Sequence, residues 1–84
     1  MVDTLTLNEA LRIHIELVAD IDLDKMEVTS DERGLFIQGK LHQILNIIQN
    51  VVNIDDITDE SILNEYTICI DFADTYISFL RKED

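Results

Sequence analysis

Carboxylates are the residues whose types and spacing could do chemistry in this chain. Asp20-Ile21-Asp22-Leu23-Asp24, followed by Asp31, puts side-chain oxygens at positions one, three, five and twelve of a loop, the donor pattern with which an EF-hand holds calcium. Three departures weaken the match. Position six is Lys25 where the sharp turn needs glycine, position eight is Glu27 in place of an apolar residue, and Asp31 is shorter than the bidentate glutamate that closes the shell. Alternating Asp and aliphatic residues also describe a plain helix-to-strand joint, with Ile21 and Leu23 tucked beneath the fold. No metal is therefore expected, and Asp20, Asp22, Asp24 and Asp31 are the ligands a calcium ion would have to use.

Other chemistry has less to stand on. The chain has no His-Glu-x-x-His, no Gly-rich phosphate loop, no Gly-x-Ser-x-Gly and no Cys/His cluster. His14 falls on the apolar face of a helix and reads as a packed or interface histidine; His42 falls on a polar face, in solvent. Cys69 stands between Ile68 and Ile70 and reads as a small core residue before a reactive thiol. No pair of carboxylates has neighbours that would push their pKa values apart. Neither enzymatic activity nor a cofactor is expected.

Composition narrows the function further. Eighteen acidic residues against six basic ones give a net charge of −12 over 84 residues. Direct binding of nucleic acid needs a basic stripe to meet phosphates, and anionic membranes repel such a chain for the same reason. What the charge favours is fast, salt-sensitive association with a basic protein surface; it also keeps a small apolar domain soluble. A single cysteine rules out an internal disulfide and suits a reducing compartment. With Asp3 near the start, no basic region before an apolar run, and no apolar stretch of membrane-spanning length, a cytoplasmic protein of one domain is expected.

Three segments must position these groups. The first opens with Thr6-Leu7-Asn8-Glu9, a capping-box pattern. Leu7, Leu11, His14, Val18 and Ile21 follow at helical spacing, which predicts a helix from about Leu7 to Asp20. The second is ambiguous at first. Residues 25–38 can form a hairpin, Met26 to Ser30 and Leu35 to Ile37 about a turn at Asp31-Glu32-Arg33-Gly34, since Asp opens and Gly closes a type I turn well. They can also open a helix at Thr29, with Gly34 and Gly39 each costing about 1 kcal/mol. Beyond Gly39, Leu41, Ile44, Leu45, Ile48, Val51 and Val52 predict a helix.

The third segment, Asp59 to Lys82, decides the fold class. Its β-branched and aromatic content suggests two strands, Tyr66–Phe72 and Thr75–Arg81. Against them, Asn64, Thr67, Asp71, Asp74, Thr75, Ser78, Arg81 and Lys82 recur every three or four residues and fill an arc of about 120° at roughly 100° per residue. Ala73-Asp74 also offers no residue for a primed two-residue turn. The reading is one long helix capped at Thr58, and hence an all-α, three-helix bundle with a possible short β-hairpin at 25–38; the alternative is α+β with a C-terminal hairpin. The apolar arc of that helix would span roughly 220°, wider than a surface helix needs. This points to Phe72, Tyr76 and Phe79 as a self-association surface and to a homodimer.

In such a bundle the acids gather at two joints, Asp20, Asp22, Asp24, Glu27, Asp31 and Glu32 at one and Asp55, Asp56, Asp59 and Glu60 at the other, at opposite poles. No Lys or Arg lies between Lys40 and Arg81, a stretch with seven acids. Carboxylates in rows on a rigid frame can imitate nucleic-acid phosphates and fill a basic groove. The expected function is a non-enzymatic acidic binding module, of the inhibitor, antitoxin or immunity kind, aimed at a basic and preferably nucleic-acid-binding protein. The alternative is a regulatory or scaffolding homodimer that recognises its partner through an apolar helix face; a calcium-binding helix-loop-helix is a distant third.

Overall fold

The computed structural model describes residues 4–52 and 62–82. It is an α+β fold and not a helical bundle. Helix α1 (Thr4–Ala19) leads through a single 3-10 turn at Leu23–Lys25 into strands β1 (Glu27–Asp31) and β2 (Gly34–Gln38); helix α2 (Leu41–Ile47) continues as a π-helical turn, Ile48–Val52; a 3-10 turn at Ile62–Glu65 then opens β3 (Tyr66–Asp71) and β4 (Tyr76–Arg81). The four strands form one antiparallel sheet in the order β1-β2-β4-β3, so two hairpins are joined along β2 and β4.

The segment expected to be a long helix is thus a hairpin, and the three-helix reading falls with it. Tyr66-Thr67-Ile68-Cys69-Ile70 is the β-branched and aromatic mixture that fits a pleated, half-buried surface. The polar stripe misled because a spacing of four is even: Thr67 and Asp71 share a face on a helix and on a strand alike. The turn between the strands spans four residues, so no primed two-residue turn is needed. Asp71 supplies its chemistry, the carboxylate accepting from the Ala73 and Asp74 N–H groups at 3.0 and 3.2 Å, and Thr75 takes a left-handed conformation at φ 47°.

Of the two readings of residues 25–38, the hairpin forms. Asp31 accepts from the Arg33 N–H at 2.7 Å across the turn, as an Asx-turn does. Gly34 closes it at φ 155°, and a Cβ there would stand 1.9 Å from the Phe79 carbonyl oxygen. Only glycine lets β4 lie this close.

One face of the sheet carries the core. Val28, Leu35, Ile37, Ile68, Ile77 and Phe79 point from it into Leu11, Ile15 and Ala19 of α1 and Ile44, Ile47 and Val51 of the second helical segment. Helix α1 buries Asn8, Leu11, Ile15 and Ala19, a face turned by about one position from the expected one. It also starts at Thr4, so Thr6 lies inside it instead of capping it. Asn8 is the polar member of the core: its Nδ2 donates to the Asp31 and Gly34 carbonyls at 2.9 and 3.1 Å, and its Oδ1 accepts from the Tyr66 hydroxyl at 2.8 Å. One side chain thereby ties α1 to both hairpins. The opposite face of the sheet, with Phe36, Tyr76, Leu80 and the exposed Cys69, contributes nothing to the core cluster.

Candidate functional site

Register decides which acids meet. Glu27, Gln38, Tyr76 and Asp71 lie level across the four strands, so the α1–β1 connection, the start of β1 and the β3–β4 turn share one end of the sheet. Glu27 and Asp71 stand at that end, Asp74 in the turn beside it, and Asp20, Asp22 and Asp24 on the connection leading into it, with Lys25, Lys40 and Arg12 as nearby cations. From Glu27 to Asp71 the row is three strand spacings wide, about 14 Å. Two of these side chains, Asp22 and Asp71, are held by backbone N–H groups close by. Asp22 caps the 3-10 turn, accepting from the Asp24 N–H at 3.0 Å; Asp71 organises its turn as described. Asp24 is the one that spends its charge internally, in an ion pair with Arg12. An open groove of about 590 Å³ runs through this end, with Lys25, Glu27, Gln38, Lys40 and Thr75 in its walls. It is polar and mixed in charge.

The other end is balanced. Asp31 binds Arg33 at 3.0 Å and Glu65 binds Arg81, with Glu32 and Lys82 beside them. The Arg33 guanidinium donates to the Asp31 carboxylate, which holds that carboxyl below its usual range and raises the arginine in turn. Its other side lies 5.6 Å from the centre of the Phe36 ring, and Phe36 stacks on Tyr76 at 6.4 Å.

The expected acidic joint is therefore divided. Strand β1 carries Asp31 and Glu32 to the far end, away from Asp20, Asp22, Asp24 and Glu27. From Glu27 to Asp31 the strand makes four steps of about 3.3 Å, which carries Asp31 away from the other three calcium candidates, so the four cannot share one ion. Among the described residues, no three Asp, Glu, His or Cys side chains come close enough to hold a metal. Asp55, Asp56, Asp59 and Glu60 lie outside the described residues. The helix reading spreads Asp71 and Asp74 along a solvent face and so keeps them from the site; the available signal is Asp71 itself, whose carboxylate can accept from N–H groups two and three positions on.

The three residues expected to form a self-association surface lie apart. Phe79 is fully buried in the core, Tyr76 lies on the open face against Phe36, and Phe72 sits in the β3–β4 turn, 56% exposed. Cys69, expected inside, is on the open face and exposed, since it alternates with Ile68 and Ile70 along β3. Exposed apolar helical surface is found on α1, where Ile13 and Leu17 are 58% and 77% exposed, and to a lesser degree on α2 at Leu41 and Leu45. His14 is half-buried and His42 exposed. No helix among the described residues is long and apolar enough to cross a membrane. No protein-family model, no curated protein and no solved structure matches this chain.

Proposed function

We propose that this chain is a non-enzymatic acidic binding module that occupies a basic site on a partner protein in a reducing compartment, in the manner of an inhibitor, antitoxin or immunity protein. The observation that supports it is the acidic end of the sheet. Six carboxylates from two chain segments, 20–27 and 71–74, lie toward that end with Lys25, Lys40 and Arg12, and among the described residues Asp24 alone of the six is ion-paired. Asx-turns hold Asp22 and Asp71 in place, so those two lose little side-chain freedom on binding. A nucleic-acid-binding protein is the partner whose site this charge fits best, because its groove is built to receive rows of anions.

The test uses a panel of basic nucleic-acid-binding proteins as probes and duplex DNA as competitor. Binding to at least one of them should fall about tenfold or more between roughly 50 and 300 mM salt, and DNA should displace the chain. Glu27→Lys with Asp74→Lys should weaken binding by a similar factor, chiefly through slower association. A second reading, apolar recognition, is favoured by the exposure of Ile13 and Leu17 one turn apart on α1. In that case binding ignores salt and the charge reversals, and Leu17→Ser abolishes it.

A further inference from the structure

We infer that β3 is a self-pairing edge, through which two copies of this chain join their sheets across a two-fold axis at Cys69. The inference is independent of the acidic-end reading and stands or falls by itself.

The sheet has two edges, and they differ. β1 is short and carries Glu27 and Asp31, the charged residues that keep an edge from pairing. β3 is longer, and its first five residues, Tyr66 to Ile70, are uncharged, in a chain of net charge −12. Its outer rim also has backbone to offer. The Lys82 N–H donates to the Glu65 carbonyl at 3.0 Å, and Glu65 and Lys82 extend the Tyr66–Arg81 register. Antiparallel pairs alternate between bonded and unbonded, so Thr67, Cys69 and Asp71 engage β4 while Ile68 and Ile70 turn their N–H and C=O groups outward. Among the described residues no strand pairs with that rim. Ile70 is 38% exposed there.

A second copy fits this edge by charge and by face. With Cys69 opposite Cys69 of the other copy, Ile68 meets Ile70 twice on the core side. Four N–H···O=C bonds form between those pairs, and Thr67 meets Asp71 on the open side. No like charges face each other. Centring on Ile68 instead would set Asp71 against Glu65. A slip that pairs odd with even residues would turn the isoleucines out of the core face. Cross-strand neighbours at an unbonded pair have Cα atoms about 4.5 Å apart, within disulfide reach, so the two Cys69 thiols report the register directly. The contact is one strand long, smaller than a standard interface of about 800 Å² per partner, so the dimer is weak. Because each copy carries −12, salt strengthens it, opposite to the behaviour of a complex with a basic partner.

The test is sedimentation of the reduced chain from about 5 to 500 µM, with amide exchange at both extremes. A monomer–dimer equilibrium is expected that tightens with salt, slows exchange at Ile68 and Ile70, and gives a Cys69-linked dimer on mild oxidation with diamide. Ile70→Lys should abolish it. Thr67→Glu, at an exposed position where folding is unaffected, should weaken it by about 2- to 30-fold through two symmetric clashes with Asp71, and Thr67→Lys should tighten it. A monomer throughout the range overturns the proposal, as does a dimer indifferent to all three substitutions. A monomer that protects Ile68 and Ile70 only when an unrelated extended peptide is added overturns it in favour of a foreign strand.

Discussion

Among the described residues, Asn8 is the side chain that bonds α1, the first hairpin and β3 at once, and replacing it by leucine removes that tie. Three contacts go: those to the Asp31 and Gly34 carbonyls and that from the Tyr66 hydroxyl. A buried polar group left without a partner costs about 1–3 kcal/mol. The two carbonyls belong to a turn and keep other neighbours, so they fall at the low end; the Tyr66 hydroxyl is enclosed and falls higher. The sum is about 4 kcal/mol, and burying leucine in place of the amide returns about 1–2 kcal/mol. A net loss of about 2–3 kcal/mol is a large share of what a domain of this size holds, roughly 4–12 kcal/mol. It should lower Tm by about 10–20 °C. Urea unfolding followed by circular dichroism measures it, and a double-mutant cycle with Tyr66→Phe isolates the shared bond, with an expected coupling of about 1 kcal/mol or more. Wild-type stability for Asn8→Leu, or a coupling near zero, would refute the account of Asn8 as the tie between the layers.

Two further outcomes follow from the same core. Gly34→Ala should prevent the β2–β4 pairing or cost at least about 3 kcal/mol, because the new Cβ would lie 1.9 Å from a backbone oxygen that has nowhere to go; loss of cooperative unfolding is the readout. Burial, ahead of an added push from Glu65 and an opposing pull from Arg81, raises the Tyr66 pKa above the ordinary tyrosine value. The folded pKa then exceeds the unfolded one of about 10, so this contribution to stability is complete below that pH and disappears as pH climbs through the folded value. Tyr66→Phe should flatten the alkaline limb of the stability–pH curve.

Much of the first half of the fold could be read from residue order. Helix α1 announces itself by its apolar spacing; the first hairpin stands as one of two readings, supported by an Asp and a Gly three positions apart but rivalled by a helix from Thr29. The last segment reads as a helix for a definite reason. Spacings of four serve strands and helices equally, and the turn that distinguishes them is made by the Asp71 carboxylate, not by a glycine or asparagine. The same misreading hid Asp71 and Asp74 from the site and placed Phe79 outside. That Asp31 and Asp20 part company was also illegible, since adjacency along the chain says nothing of the strand that carries one away from the other. Asn8 gave no sign of its role, because its partners lie 23 to 58 positions distant.

The joining of the two hairpins along β2 and β4 has a consequence for synthesis on the ribosome. Strand β2 can meet β1 once both have emerged, in a hairpin that is marginal by itself, yet its other rim has no partner until Tyr76–Arg81, about forty positions later. Throughout that interval the Leu35-Phe36-Ile37 segment lies bare along one side, the kind of surface at which unfinished chains stick together. All but two of the eighteen acids precede Tyr76. The growing chain is thus already strongly self-repelling while its central seam is open, and mutual repulsion between neighbouring nascent copies protects the seam until its own last strand arrives.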